Sequence, residues 1–357
     1  MTRNALMADD SINALPGWRV ERSLTGTLDD CSLIVATYER PKELLELLRT
    51  VNAMACRPAE VIVVDGSPGR QTEENLLKWI SCDTPSFNLV YARCPAGLTR
   101  QRNAGIDISS GQFVFFLDDD CLPEEGYFET VRRVFLEEST GRVGAVCGLV
   151  VNEMQKPLPF RWRLRLKLGL VPNAQPCIYY PSGTSGPQNL IPAFSGLRSI
   201  DVLSGCAMTF RRTVLNQHRF SEFFSGYSQG EDMEISLRIR SRWKILWCGD
   251  ARVEHYHAPA GRPASFRKGV MEVRNHYFIW KRYSPDASAG DKLRFWLDVG
   301  LLAAVDLGSF CRRPTRSHNL LHAFGLSWAA LNCMLAGLRY EEPRPRKQYE
   351  LRMSESQ

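Results

Sequence analysis

The stretch Gln112-Phe-Val-Phe-Phe-Leu-Asp-Asp-Asp120 places three carboxylates directly after a continuous apolar run. A run of this length, rich in aromatic residues, is typical of a strand that is buried on both faces of a parallel sheet. Two interpretations fit the aspartates. They could share a hard divalent cation with phosphate oxygens, or they could form a solvated turn that opposes the dipole of a following helix.

Three similar apolar runs precede this one, at residues 31–36, 61–64 and 88–91. Helical patterns separate them, and between the first two runs leucines recur at helical spacing from residue 41 to residue 54. Strands that alternate with helices predict a parallel sheet with right-handed crossovers and helices on both faces. The fold class is therefore α/β, and ligands are expected beyond the carboxyl ends of the strands.

Composition indicates a globular protein and argues against two classes. Hydrophobic residues make up 44% and charged residues 24% of the 357 residues, which is close to the average for soluble proteins. The net charge of +6 is too small for a dedicated nucleic-acid binder, so no nucleic-acid partner is expected. Eleven cysteines without CxxC pairs predict buried thiols in a reducing compartment, and neither a zinc cluster nor a disulfide framework.

The pattern continues beyond the aspartates. It predicts a helix at 124–138, a strand at 143–151, a segment rich in Pro, Gly and Ser at 155–199, a strand at 202–210, a helix that contains Glu231 and Asp232, and a strand at 244–248. Apolar helices follow at 266–283 and within 292–340. Because the first thirty residues lack the apolar core of a signal peptide, a cytoplasmic location is predicted.

Five segments resemble, in order, the motifs of family 2 of the glycosyltransferases, which are inverting enzymes with the GT-A fold. The segments are Val35-Ala-Thr-Tyr-Glu-Arg-Pro41, Val63-Val-Asp-Gly-Ser67, Arg102-Asn-Ala-Gly105, Phe116-Leu-Asp-Asp-Asp120 and Gly230-Glu-Asp232. The resemblance covers residues 30 to 260. It implies transfer of a sugar from a UDP-, GDP- or dTDP-sugar to the hydroxyl of a glycan or lipid-linked glycan, with Mn²⁺ or Mg²⁺ as cofactor.

The resemblance also implies roles for the residues that bind the donor. Asp65 would hydrogen-bond the base, although an aspartate before Gly66 also suits a turn. Asp118 would approach the ribose, and Asp120 would bind the metal, while Asp119 could share either role. Contacts to the nucleotide or its diphosphate are expected from Thr37, Tyr38, Arg40, Arg100, Arg102 and Asn103.

Two further sites follow from the same resemblance. Asp232 would be the general base that accepts the proton of the acceptor hydroxyl, with Glu231 beside it as an acceptor contact. The alternative is an acidic pair at a helix start that forms salt bridges with Arg238 or Arg240. His255 or His257 would complete the metal site, and the i, i+2 spacing on a strand would place both rings on one face.

Three parts of the chain are expected. Residues 1–30 form a leader or edge segment. Residues 31–260 form a GT-A catalytic domain, with a nucleotide-sugar half at 31–123 and an acceptor half at 124–260 that carries a mobile insertion at 155–199. Residues 261–357 form a C-terminal extension of amphipathic helices, flanked by arginines and tryptophans, which would lie on the inner face of the cytoplasmic membrane or pack in the domain or a homodimer.

Two other functions remain as alternatives. A nucleotidyltransferase would share the sheet and the aspartates, but it would need a glycine-rich phosphate loop after the first strand, which residues 36–40 do not supply. A catalytically inactive glycan-binding module would not need the set of Asp120, Asp232 and His255.

Overall fold

The structure, a computed structural model, describes residues 4–5, 17–20, 26–171, 174–258 and 263–338. Arg339 and the basic stretch at 344–347, which the sequence suggests as membrane-facing flanks, lie outside the described residues. The same holds for most of the expected leader at 1–30.

One sheet of eleven strands organises the chain. The strands are β1 (Asn4–Ala5), β2 (Gly17–Val20), β3 (Thr27–Thr37), β4 (Arg57–Asp65), β5 (Asn88–Arg93), β6 (Phe113–Asp118), β7 (Cys121–Pro123), β8 (Val143–Val150), β9 (Leu197–Ser199), β10 (Ala207–Arg211) and β11 (Lys244–His255). Their order is β1-β2-β5-β4-β3-β6-β10-β8-β11-β7, and β9 pairs with β11.

The four predicted apolar runs form the parallel centre of this sheet. β5, β4, β3 and β6 are parallel neighbours, with Val35 opposite both Val63 and Leu117. Thr37, Asp65 and Asp118 therefore end their strands at the same edge. The α/β prediction is confirmed, and the sheet becomes mixed beyond this centre, where β10 is antiparallel to both β6 and β8 while β8 and β11 are parallel.

Helices cover both faces of the sheet. They are α1 (Pro41–Ala53), α2 (Gln71–Cys82), α3 (Leu98–Ile108), α4 (Tyr127–Glu137), α5 (Val151–Met154), α6 (Phe160–Lys167), α7 (Arg212–Gln217), α8 (Glu231–Ile239), α9 (Ser265–Tyr283), α10 (Ala289–Arg312) and α11 (Ser317–Ala336).

Alternation along the central strands gives the chain two cores, one on each face of the sheet. In β3, Leu33 and Val35 enter the core that contains α1 and α4, whereas Ile34 enters the core that contains α3 and α8. Strands that bury both faces read as continuous apolar runs, which is why they could be identified in the sequence. The thiols of Cys31 and Cys147 are buried in these cores, as expected.

The insertion at 155–199 contains more regular structure than its composition suggests. It includes helix α6, a turn of 3₁₀ helix at Gln188–Leu190 and strand β9. Helix α6 binds the C-terminal helices: Arg165 donates two hydrogen bonds, of 2.6 and 2.9 Å, to Asp298 of α10, and Arg161 pairs with Asp306 of the same helix. The expectation of an irregular segment is wrong at these positions.

Helices α9, α10 and α11 form a third apolar cluster, which includes Trp280, Phe295 and Leu326. Glycines allow α9 and α11 to cross closely, because a Cβ on Gly269 would lie 2.4 Å from the carbonyl oxygen of His322. No helix within the described ranges is both long enough and apolar enough to cross a bilayer.

Candidate active site

A cleft of about 1100 Å³ opens at the carboxyl ends of β3 and β6. Eleven of the fourteen residues singled out in the sequence line it. They are Thr37, Tyr38, Arg40, Arg102, Asp118, Asp119, Asp120, Glu231, Asp232, His255 and His257. Residues from the segments 31–123 and 124–260 therefore meet in one cavity.

Asp119 directly follows β6 and links it to the end of β3. Its carboxylate accepts hydrogen bonds of 2.8 Å from Thr37 Oγ1 and 3.0 Å from Arg40. Its burial raises the pKa of this carboxyl to about 7, although Arg40 and Thr37 oppose the shift. With both oxygens engaged and only 3% of its surface exposed, Asp119 is placed to support the cleft wall.

Asp120 lies against His255. Its Oδ2 accepts a hydrogen bond of 2.7 Å from the backbone N–H of Ala258, and its Oδ1 lies 3.2 Å from His255 Nε2. Burial opposes ionisation of Asp120, but His255, the Ala258 N–H and Arg40 outweigh it and lower its pKa to about 2. Burial likewise disfavours the imidazolium of His255, yet Asp120 and Cys206 raise its pKa to about 10.

The side chains of Asp118, Asp120 and His255 fit a divalent cation. One ligand atom from each lies within 4.8 Å of the others. Asp120 Oδ1 is buried and, among the described residues, makes no hydrogen bond. Buried polar atoms in native proteins are nearly always satisfied, and carboxylate oxygens with an imidazole are ligands that Mn²⁺ and Mg²⁺ accept.

His257 occupies a different environment from His255. Strand β11 ends at His255, and His257 follows with a positive φ of 54°, so strand periodicity does not relate the two rings. They nevertheless lie 3.9 Å apart between centroids. The Nε2 of His257 pairs with Glu153, and its side chain is 43% exposed. Of the two candidates, the structure places His255 beside the aspartates.

Arg102 links the aspartate run to the acidic pair of α8. Its guanidinium donates to Glu231 at 2.7 Å, to Asp118 at 3.0 Å and to the carbonyl of Gly205 at 2.8 Å. The side chain is 3% exposed, and although burial opposes its charge, Glu231 and Asp118 raise the pKa of Arg102. Arg102 is thus a buried cation held between two carboxyl groups.

Asp232 lies in the first turn of helix α8, and backbone N–H groups hold its carboxylate. Oδ2 accepts a hydrogen bond of 3.0 Å from Gly205 N–H, and Oδ1 accepts one of 2.8 Å from Met233 N–H. Burial raises the pKa of Asp232 although both N–H groups and Arg102 oppose the rise. A carboxylate with a raised pKa that lines a cleft suits proton transfer.

Two glycines position this acidic pair. Gly230 adopts a φ of 94°, in the left-handed region that glycine favours, and turns the chain into α8. A Cβ on Gly205 would lie 2.8 Å from Asp232 Oδ2, so only glycine allows the backbone to approach the carboxylate this closely. The neighbouring Glu231 is also buried, and this burial, with Asp232 beside it, raises the pKa of Glu231 to about 8 despite Arg102.

Three of the sequence candidates lie outside the cleft lining. Asp65 is fully buried, and its oxygens accept from Ser67 N–H at 2.8 Å and Tyr91 Oη at 2.9 Å, which is the geometry of a turn. The amide of Asn103 pairs with the backbone of Phe220 in both directions. Arg100 is 43% exposed and lies 3.7 Å from Glu222.

The cleft also contains residues that the sequence did not single out. Gln101 is buried and donates to the carbonyls of Thr37 and Val64, at 2.8 and 2.9 Å, so it fastens α3 beneath the cleft floor. Trp162 of α6, Cys206 and Arg267 of α9 line the walls. Their elements are distant from the motifs in sequence, and only the position of Gln101 between Arg100 and Arg102 could have suggested it.

Similarity to known proteins identifies the family to which the chain belongs. Over 261 residues, the chain is 27% identical to the minor teichoic acid biosynthesis protein GgaB of Bacillus subtilis (strain 168), which covers 70% of this chain and 25% of that protein. Over 89 residues, it is 35% identical to the succinoglycan biosynthesis protein ExoM of Rhizobium meliloti (strain 1021), which covers 24% of this chain and 28% of that protein. The chain thus spans about a quarter of the length of each.

Among solved structures, the mannosyltransferase PcManGT from Pyrobaculum calidifontis, in complex with GDP-Man and Mn²⁺, shares the fold. The TM-score is 0.51 at 16% identity, over 86% of this chain and 87% of that one. The sequence profile of the family described as "Glycosyl transferase family 2" matches residues 32–219, more than half of the chain. The chain therefore belongs to glycosyl transferase family 2, a family of glycosyltransferase enzymes, and has the GT-A fold.

Proposed function

We propose that this chain transfers a sugar from a nucleoside-diphosphate-sugar to an acceptor hydroxyl with inversion at the anomeric carbon. The observation that carries the proposal is one cleft that holds both the Asp118, Asp120 and His255 group and the carboxylate of Asp232. A cation site suits a diphosphate leaving group, and a separate carboxylate suits an attacking hydroxyl.

Asp232 is the proposed general base. The acceptor oxygen forms a bond to the anomeric carbon as its proton passes to the Asp232 carboxylate. The bond from that carbon to the diphosphate oxygen breaks, and its electron pair leaves with the nucleoside diphosphate. No covalent sugar intermediate on the protein is needed, and a single displacement of this kind inverts the anomeric centre.

Other groups in the cleft support this transfer. Arg102 keeps Glu231 and Asp118 in place, and Gly205 N–H orients the Asp232 carboxylate. Asp118, Asp120 and His255 would hold Mn²⁺ or Mg²⁺, which when bound would neutralise charge on the diphosphate. Thr37, Tyr38 and Arg40 border the same end of the cleft and would face the nucleotide.

Names of the relatives support a glycan acceptor. One relative is named for minor teichoic acid biosynthesis and another for succinoglycan biosynthesis. We therefore propose a glycan or lipid-linked glycan as the acceptor. The cleft wall formed by α6, which carries Trp162, and by Arg267 of α9 would contact it. Residues 31–260 would form the catalytic domain, and the helices described at 265–336 a C-terminal extension.

A screen of donors tests the transfer directly. UDP-, GDP- and dTDP-sugars are each incubated with the full chain and Mn²⁺ or Mg²⁺, and release of the nucleoside diphosphate is measured with and without a chelator. Chelator-sensitive hydrolysis of one donor is expected. The absence of hydrolysis for every donor would contradict the proposal and favour an inactive glycan-binding module. Release of inorganic pyrophosphate from a nucleoside triphosphate and a sugar phosphate would instead identify a nucleotidyltransferase.

We also propose that α11 docks on an anionic membrane surface. Besides Met334, five large apolar side chains of α11 are between 49% and 79% exposed, and these five recur at helical spacing along one face. They are Leu321, Phe324, Trp328, Leu331 and Leu335. Isolated exposed hydrophobic residues are ordinary, but a stripe along a helix of twenty residues is an interaction surface. Trp296 of α10, in contrast, packs on Trp280 and Phe295.

Charge complementarity favours a membrane as the partner of this stripe. Arg312, Arg313 and Arg316 are exposed in the connection between α10 and α11 and line a common depression. An apolar helix face beside a basic cluster is the combination that binds anionic leaflets, such as the inner leaflet of the cytoplasmic membrane. The chain would then act at a surface that presents lipid-linked acceptors.

Vesicle flotation tests the docking. The full chain should float with vesicles that contain anionic lipid and less with purely neutral vesicles. The double substitution Phe324→Glu and Trp328→Glu should abolish flotation, whereas Leu136→Glu on α4, equally exposed at 53%, should not. Light scattering gives the competing outcome, since a dimer that the double substitution dissociates would assign the stripe to a second copy of the chain.

A further inference from the structure

Two buried cysteines lie next to His255. Cys121 of β7 is opposite His255 in the antiparallel pair of β7 and β11, and it has no exposed surface. Cys206 directly precedes β10, is 8% exposed and lines the cleft. Sγ of Cys121, Sγ of Cys206 and a ring nitrogen of His255 all lie within 4.8 Å of one another.

The set of Cys121, Cys206 and His255 differs chemically from the neighbouring set of Asp118, Asp120 and His255. Two thiolates and an imidazole are soft ligands that select zinc and similar ions, whereas Asp118 and Asp120 offer hard oxygens. The spacing in sequence hides the set, because Cys121, Cys206 and His255 come from three separate elements and no CxxC pair is present. A search for motifs therefore expects no zinc site in this chain.

We propose that Cys121, Cys206 and His255 form a second metal site, which takes a thiophilic divalent ion of the zinc class. Binding would release the proton of each thiol, and a sulfur lone pair of each thiolate would form a bond to the ion. Because Cys206 borders the cleft, an ion could reach the site from the cavity, while Cys121 closes it from the protein interior.

The two sites would compete, since both require His255. They are also adjacent, because the N–H of Asp118 donates to the carbonyl of Cys206 at 3.2 Å. An ion held by the two thiolates would take the imidazole from the aspartates and weaken the hard-cation site. This competition rests on the proposed function of Asp118, Asp120 and His255, whereas thiolate binding does not depend on it.

Cadmium provides a probe with its own signal. The parent protein for this titration is the full chain, reduced and metal-free, with the substitutions Cys82→Ser and Cys311→Ser, which remove two exposed thiols. Titration with Cd²⁺ should produce the ultraviolet charge-transfer absorption of a Cd²⁺–thiolate bond, saturating at one ion per chain. Cys121→Ala and Cys206→Ala should each remove most of this absorption. Cys248→Ala is the matched control, because Cys248 is buried on the same strand as His255 and lies outside the group.

Competition is measured separately by the electron paramagnetic resonance signal of free Mn²⁺. Cd²⁺ added to the Mn²⁺-loaded chain should release Mn²⁺, and Cys121→Ala should prevent this release. Absorption that is absent, or equal in Cys121→Ala and the parent, would overturn the thiolate site. Absorption without release of bound Mn²⁺ would overturn the competition. A chain that binds no Mn²⁺ would contradict the proposed hard-cation site and leave the absorption test of the thiols intact.

Discussion

The guanidinium of Arg102 lies 2.7 Å from the carboxylate of Glu231, and both side chains are almost fully buried. Since Arg102 also donates to Asp118, one arginine of α3 connects the end of β6 with the start of α8. A buried ion pair contributes little against an apolar replacement, but removing one partner leaves an uncompensated charge. The pair is therefore sensitive to single substitutions.

We expect Arg102→Met to lower the free energy of unfolding by about 3 to 5 kcal/mol, because Glu231 loses its partner inside the protein. The double variant Arg102→Met and Glu231→Gln should recover part of that loss. Chemical denaturation measures both. The control is Arg100→Met, which removes an exposed arginine at 3.7 Å from Glu222 and should cost less than about 1 kcal/mol. Equal stability of the Arg102 and Arg100 variants would contradict the prediction.

Asp232→Asn should reduce the turnover of the donor and acceptor by about a thousandfold, because an amide cannot accept the proton of the acceptor hydroxyl. Affinity for the nucleotide, measured by calorimetry, should stay the same. Asp286→Asn makes the same chemical change at an exposed position and should leave turnover unaltered. Turnover of Asp232→Asn close to the parent would exclude this carboxylate as the base.

Gly205→Ala should displace the Asp232 carboxylate, because the new Cβ would lie 2.8 Å from Oδ2. A displacement of a catalytic group by about 1 Å can lower turnover about a hundredfold. Circular dichroism should show that the fold is preserved. Gly300→Ala on α10 is the comparison, since its Cβ would meet no atom within 4 Å. If Gly205→Ala and Gly300→Ala have equal turnover, the backbone contact does not position the base.

The two histidines should differ in metal binding. His255→Asn should weaken Mn²⁺ binding by about a hundredfold or more, because a ligand that also contacts Asp120 is lost. His257→Asn should have a much smaller effect, since this ring pairs with Glu153 at an exposed position. Isothermal titration of the metal-free chain distinguishes them. A stronger effect at His257 would reverse the assignment.

His322 should make stability depend on pH. The hydrogen bond with Asp306 and the ion pair with Glu272 raise the pKa of this buried histidine to about 9, despite its burial. A raised pKa means that the stabilisation is complete below the unfolded value of about 6.5 and is lost as pH rises through about 9. Arg161, which also pairs with Asp306, stays charged throughout this range.

His322→Gln should therefore cost about 2 kcal/mol of unfolding free energy at pH 6 and progressively less toward pH 9. Urea denaturation across this range measures the difference between variant and parent. A difference that does not change with pH would mean that the charge of His322 contributes nothing to stability.

The parallel centre of the sheet could be predicted because its strands are apolar on both faces, as Ile34 and Val35 illustrate. The position of β10 could not, since its antiparallel pairing with β6 depends on the long connection that precedes it. Helix α6 was missed because Arg165, a residue that normally faces solvent, is buried by a pair with Asp298 more than a hundred residues away.

The same limit applies to the site. Aspartates at strand ends signal a shared edge, which is why Asp118 and Asp120 were found. Asp65 also ends a strand, but its carboxylate accepts a hydrogen bond from Tyr91 on the neighbouring strand and does not line the cleft. The partners of Arg102, and the meeting of Cys121 with Cys206, are settled by packing between distant elements and leave no periodic trace.

The bonds from Arg161 and Arg165 of α6 to Asp306 and Asp298 of α10 join one wall of the cleft to the C-terminal helices. The wall that carries Trp162 is thereby tied to the helices next to the exposed stripe of α11. Chimeras made to alter the choice of acceptor would need to exchange α6 and α10 as a unit. A graft of α6 or α10 alone would leave two arginines or two aspartates without their partners. Natural variation in one of these helices is expected to be accompanied by variation in the other.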